Sequence, residues 1–263
     1  MELQVAVKVI KLHTSEEDLR RLRQEAGIWA RLMHENIVSL LGTTKGFGPS
    51  PALVSLWFPH GTLLRLIADE GARLSIKSKL NLLHDIASGL HYLHSFPIVH
   101  GDIISSNVLI DIKEGRYKAC LTDFGLSTVL GGLLDDHTIE GSIVRHGAIR
   151  WTAPELLRLA HDHPADSNVK PTKENDIYSF GRVMFHVLTL LIPWGGIDDY
   201  QVLHKILCGE EIRRPETPHD TPDITDVRWN EIELCWSIDA PARPSALMVM
   251  GFLKSELEAL TDD

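Results

Sequence analysis

The chain changes texture once, near residue 59, and that change constrains its fold more than any other feature. Before it, the runs are strand-like. Residues 4–12 are rich in β-branched side chains, with Val5, Val7 and Val9 alternating against Ala6, Lys8 and Ile10. Apolar groups fall on both faces, so this strand expects cover on each side. Thr14, with Glu17 three residues on, makes a capping box for a helix whose face is marked by Leu19, Leu22, Ala26, Trp29 and Met33. Residues 37–42 and 52–58 are further strand candidates, separated by a glycine- and proline-rich turn. After Pro59 the periodicity turns helical. Residues 63–70 predict a short helix, and residues 78–94 a long one striped by Leu83, Ile86, Leu90 and Leu93. Two short strands are expected at 107–110 and 117–121, and from 177 onward helices dominate, ending in 245–260. The order implies an α+β fold, with a small sheet-rich part (1–56), a hinge near 56–61 and a larger helical part (57–263).

Composition narrows the function classes. With 26 basic and 36 acidic residues the net charge is −10, which argues against a sequence-independent grip on nucleic acid or an anionic membrane surface. The most apolar run, 183–194, is interrupted by His186 and closes on Pro193 and Trp194. It is far short of the roughly 20 residues a spanning helix needs and reads as a buried core helix. No secretion signal opens the chain. Cys120, Cys208 and Cys235 have no CxxC spacing and are odd in number, so neither a zinc cage nor a disulfide framework is expected. A reducing, cytoplasmic setting follows by default. The cluster His161, Asp162, His163 and Asp166 lies in a polar connector and reads as a solvated loop, while His91 and His94 read as helix packing residues.

Five short features follow one another in order: Val5-Ala6-Val7-Lys8; Glu25 on the next helix; His100-Gly101-Asp102 with Asn107 five residues after the aspartate; Asp123-Phe124-Gly125; and Ala153-Pro154-Glu155. Each alone is weak. Together, at these spacings, they resemble a protein kinase domain from Val5 to about Leu253. The stretch Ile149-Arg150-Trp151-Thr152 before Ala153 and the Cys235-Trp236 pair are most similar to the tyrosine kinase-like group, many of whose members are serine/threonine enzymes.

The resemblance implies a bilobal fold, a single domain over 1–263, and transfer of the ATP γ-phosphate to a protein Ser/Thr or Tyr hydroxyl with Mg2+. Lys8 would reach the α- and β-phosphates, held in place by Glu25. Asp102 would orient the hydroxyl and accept its proton, and Asn107 and Asp123 would ligate metal. Backbone groups of Leu56 and Phe58 would pair with the adenine edge, Ala6 and Leu109 would press on its faces, and Ser55 would be the small residue behind it. Trp29, Leu40, Phe124 and His100 would stack as a column linking the lobes, with Asp176 anchoring its base, and Glu155 would pair with Arg243. The implied partners are a protein substrate or a regulatory protein.

Four departures from the pattern bear on activity. Only seven residues precede Lys8, leaving no room for a glycine-rich loop and its two strands, so weak nucleotide binding and an unpaired first strand are expected. Ile104 and Ser106 stand where a cation normally faces the γ-phosphate; losing one such stabiliser costs about 10²–10³ in rate. Gly101 replaces the arginine that pairs with a phosphorylated activation segment, leaving Thr138 and Ser142 with no evident local partner. Ala148 replaces the threonine that bridges the catalytic loop in serine/threonine kinases. The rival reading is a pseudokinase, a regulatory or scaffolding module whose output is binding.

Overall fold

A computed structural model describes residues 4–9, 16–48, 51–124, 148–162, 170–215 and 223–260. The alternating β-branched run forms β1 (Val5–Val9). Helix α1 (Glu16–Trp29), β2 (Leu40–Thr44) and β3 (Ala52–Leu56) follow, and the strands make an antiparallel sheet in the order β1-β3-β2. β1 lies at the edge of that sheet, with β3 its only neighbour among the described residues. The expectation of cover on both of its faces is not met: Val5 and Val9 remain 42% and 38% exposed, because no helix or strand among the described residues is laid over them. The predicted continuation to residue 12 and the cap at Thr14 lie outside the described residues.

Two other expectations shift. Helix α1 stops at Trp29, so Met33 is not part of its buried face but stands 83% exposed. The strand expected at 37–42 begins only at Leu40. The residues before it are drawn to the other half of the molecule: Val38 N–H donates to the Leu121 carbonyl at 2.9 Å, and Leu121 N–H donates to the Asn36 carbonyl at 2.8 Å. This short parallel bridge stitches the sheet part to the helical part.

The second half opens with α2 (Leu63–Glu70) and α3 (Ile76–Ser95), capped by the hydroxyls of Thr62 and Ser75. A hairpin of β4 (Val108–Lys113) and β5 (Arg116–Leu121) follows, then α4 (Pro154–Asp162), α5 (Lys173–Thr189), α6 (Asp199–Leu207), α7 (Asp226–Cys235) and α8 (Ala246–Ala259). Helix α5 starts at a capping box of Thr172 and Asn175 and is buried along almost its whole length, which makes it the axis around which α3 and α7 pack. Two glycines let backbones approach closely. A Cβ on Gly89 would lie 2.8 Å from the Asn36 carbonyl oxygen, and one on Gly181 would lie 2.8 Å from Cys235 Cβ. The apolar run 183–194 is helical only to Thr189; Leu190 and Trp194 adopt φ of +63° and +57°, and the rest is a turn leading to α6.

The architecture is thus α+β and bilobal. One continuous apolar core runs from Trp29 and Leu40 through Leu121 and Phe124 to Tyr178 and Phe180. No helix among the described residues is long and apolar enough to cross a membrane.

Candidate active site

Local structure explains why the charged residues meet. β1 pairs with β3 so that Ala6 stands opposite Ser55 and Lys8 opposite Leu53. Ala6 and Lys8, two residues apart on a strand, share a face. The chain leaves β3 through Leu56 and Phe58, and Trp57 N–H donates to the Gln4 carbonyl at 3.1 Å. A bridge between Thr62 and Leu109 then fastens the segment after the hinge to β4. Ala6, Ser55, Leu56, Phe58 and Leu109 are all half-buried.

The loop between α3 and β4 is held from below. Asp176 near the start of α5 accepts from the backbone N–H of His100 at 2.8 Å and of Gly101 at 2.7 Å. Gly101 has φ of +76°, a conformation glycine adopts without cost and an arginine would not. His94 Nε2 also hydrogen-bonds to Asp176, at 2.8 Å, so this residue contacts the anchor of the loop rather than merely filling space. Beyond Gly101, Asn107 Nδ2 donates to Asp102 Oδ2 at 2.7 Å and to the Asp102 carbonyl at 2.9 Å. Thr122 N–H donates to the Asn107 carbonyl at 3.0 Å, which brings the end of β5, and hence Asp123, to the same place.

Asp123 has φ of +66° and receives Lys8, whose Nζ lies 2.6 Å from Oδ1. Lys8 is thus joined to Asp123, and Asp102 to Asn107, with the Thr122–Asn107 bond linking the two pairs through the backbone. Glu25 lies on α1, but its side chain is outside the described residues. Phe124 contacts Trp29 edge-on with centroids 5.1 Å apart and His100 at 6.1 Å. Trp29 also donates from Nε1 to the Val38 carbonyl at 2.6 Å, and Leu40 lies in the same core. Burial holds the His100 imidazole below its ordinary pKa despite Asp176, Asp102 and Asp123 nearby, so the ring packs as a neutral group.

Ile104, where a cation was missed in the sequence, is buried in the core. A small recess open to solvent lies beside Asp102, walled by Ile104, Trp151, Thr152, Leu156 and Ser179. Arg150, next to Trp151 in the chain, donates to the carbonyls of Trp194 and Ile197, both at 2.6 Å, and pairs with Asp199 at 2.9 Å. Arg150 was quoted in the sequence only as part of a motif, and this role depends on carbonyls more than 40 residues away. Glu155 and Arg243 form the expected pair, with Nη1 to Oε1 at 2.6 Å and Nη2 to Oε2 at 2.9 Å. Gly125, Thr138, Ser142, His163 and Asp166 lie outside the described residues.

The donor set suits Mg2+. The ion is hard, wants oxygen, and is held by one or two protein groups with water and phosphate completing the shell. Asp123 and the Asn107 amide oxygen are groups of this kind and could hold it. Among the described residues there is no cluster of three or more His, Cys, Asp or Glu that could hold a metal unaided.

Comparison with known proteins agrees with this geometry. The family model for protein tyrosine and serine/threonine kinases matches residues 1–253, and the chain belongs to that family. It is 34% identical over 256 residues to the serine/threonine-protein kinase CTR1 of Arabidopsis thaliana, covering 95% of this chain and 28% of that protein. It is 33% identical over 245 residues to the probable serine/threonine-protein kinase drkC of Dictyostelium discoideum, covering 92% of this chain and 30% of that protein. Identity to the serine/threonine/tyrosine-protein kinase HT1 of Arabidopsis thaliana is 29% over 266 residues, 98% of this chain and 62% of that one. The chain thus spans under a third of the first two relatives and is a kinase domain of the tyrosine kinase-like type.

One consequence for stability concerns His186 on α5. Its burial pushes the imidazole pKa down to about 4 from 6.5. The unfolded chain therefore takes up a proton below pH 6.5 that the folded chain refuses until about pH 4, and stability falls as pH drops through that window. The loss attributable to this side chain between pH 7.5 and 4.5 is about 2–3 kcal/mol. Urea midpoints of the protein and of His186→Phe at the two pH values measure it; equal pH slopes would refute the assignment.

Proposed function

We propose that this domain transfers the γ-phosphate of magnesium-ATP to a hydroxyl of a protein substrate. The observation that carries this reading is two short polar pairs, Asp102 with Asn107 at 2.7 Å and Lys8 with Asp123 at 2.6 Å, linked by the Thr122 N–H on the Asn107 carbonyl. Asp102 orients the acceptor hydroxyl and takes its proton as the oxygen–phosphorus bond forms and the bond to the β-phosphate oxygen breaks. Lys8 exchanges Asp123 for the α- and β-phosphates, steadied by Glu25. Asn107 and Asp123 hold the metal, which neutralises phosphate charge when bound. Ala6 and Leu109 sandwich the adenine, the backbone of Leu56 and Phe58 pairs with its edge, and Ser55 lies behind it.

Chemistry is slow in this reading. Ile104 is apolar and buried where a cation would stabilise the transferring group, a loss of about 10²–10³ in rate. A protein substrate in a cytoplasmic setting fits the net charge of −10 and the three free cysteines. Incubation with γ-labelled ATP, magnesium and a generic protein substrate tests the reaction, and a thermal-shift titration tests binding separately. Magnesium-ATP at 100 times its dissociation constant adds about 2.7 kcal/mol to stability. Binding without any transfer would favour the rival, a module that works by binding alone; the relatives described above give that rival no support.

A further inference from the structure

The catalytic loop is tied to α5 at two points, and only one has a place in the mechanism above. The first is Asp176 under His100 and Gly101. The second lies ten residues further along the helix, where His186 Nδ1 and Ser105 Oγ hydrogen-bond at 2.9 Å. Both residues are buried, with 2% and 1% of their surface exposed. Ser105 opens the one-turn 3-10 segment Ser105–Asn107, so its side chain sits two residues from Asn107 and three from Asp102. The other side of the imidazole meets Trp151 edge-on, with centroids 5.7 Å apart. Trp151 belongs to the wall of the cleft beside Asp102, and its carbonyl accepts from Ser179 Oγ, also on α5, at 2.8 Å. One side chain therefore touches both the loop that carries Asp102 and Asn107 and the wall that faces the acceptor.

We infer that His186 is a positioning residue for phosphoryl transfer, holding the Ser105–Asn107 turn so that Asn107 stays beside Asp102, and bracing Trp151 across the cleft. Asp176 fixes the backbone of the loop before Asp102 and leaves the turn after it to find its own place. The turn is short, and its other polar ties are the Asn107–Asp102 contact itself and the Thr122 N–H on the Asn107 carbonyl, neither of which holds Ser105. A hydrogen bond from the buried His186 side chain adds a constraint at Ser105 from the helix below, and burial keeps the ring neutral, so it constrains without adding charge near the phosphates. The inference rests on the kinase reading above.

Four variants test it: Ser105→Ala, His186→Phe, the double variant, and His186→Asn, whose amide can reoccupy the position of Nδ1. Two readouts are taken, the kinetics of transfer and the affinity for ADP with and without magnesium. Ser105→Ala and His186→Phe are each expected to lower kcat about tenfold with little change in KM for ATP. The double variant should lose no more than either single one, and His186→Asn should recover most of the rate. The gain in ADP affinity from magnesium should shrink in the same variants, because it depends on where Asn107 sits. Equal kcat in Ser105→Ala, or additive losses in the double variant with urea midpoints unchanged, overturn the inference. So does an unchanged magnesium gain in all four variants. A parent chain that binds no magnesium-ADP overturns the kinase reading and this inference with it, whereas one that binds and transfers leaves the variants to decide the inference alone.

Discussion

Asp102→Asn is expected to lower the rate of phosphoryl transfer about 10²–10⁴-fold while leaving the domain folded and able to bind magnesium-ATP. The separation follows from what the carboxylate does. In the folded protein Asp102 accepts from Asn107 Nδ2 through Oδ2, and an asparagine can present its amide oxygen to the same donor. What it cannot do is take the hydroxyl proton. Lys8 and Asp123 are untouched, so nucleotide should bind as before. The comparison is made on transfer to protein substrate, with the urea midpoint and the thermal shift by magnesium-ATP as controls. Equal transfer by the protein and the variant would assign the phosphorylation to something other than this site.

The largest expected effect on stability is at Arg243. Its side chain is fully buried. It donates twice to Glu155, to the Glu174 carbonyl at 3.0 Å and to the Ser237 carbonyl at 2.9 Å, while its guanidinium lies 5.0 Å from the centre of the Tyr178 ring. Arg243→Ala removes the only cation among these partners and leaves Glu155 with the Asn175 amide. Breaking a buried pair in this way costs about 3–5 kcal/mol. Arg243→Lys keeps the charge but cannot span both carboxylate oxygens and two carbonyls, so it should fall between the two. Urea unfolding measures both, and an unchanged midpoint in Arg243→Ala would refute the structural role. Because Glu155 begins α4 directly after the cleft wall, the alanine variant should also lose transfer activity before it unfolds.

The residues that carry the proposed chemistry were legible because each lies in a short local pattern. Lys8 is on an alternating strand, Asp102 and Asn107 flank one turn, and Asp123 closes another strand; order and spacing along the chain were enough to nominate them. Helices α2, α3 and α8 were legible for a similar reason, since their apolar spacing is repeated over two or more turns. The errors came where periodicity says nothing about neighbours. Met33 keeps the spacing of the α1 stripe, yet the helix ends first and leaves it in solvent. Residues 36–38 look like the start of a strand but are used to bond β5. The apolar run 183–194 is equally apolar on both sides of Thr189, and the helix ends inside it.

His186 marks the boundary between the two kinds of information. The sequence exposes it as the one ionisable group inside an apolar run, and nothing local says what it meets. Only the packing of α5 beneath the catalytic loop brings it to Ser105, 81 residues earlier. Arg150 and Asp176 are similar, since several of their partners are backbone groups, which carry no signature in the residue code. By itself, then, the sequence determined the class of fold and the order of most of its elements, and it nominated the groups proposed to handle phosphate, because those depend on local spacing and side-chain chemistry. The tertiary structure alone decided how these groups are held, because the buried helix α5 reaches the loop, Trp151 and the Arg243 pair together, and such contacts depend on distances in space between residues far apart in the chain.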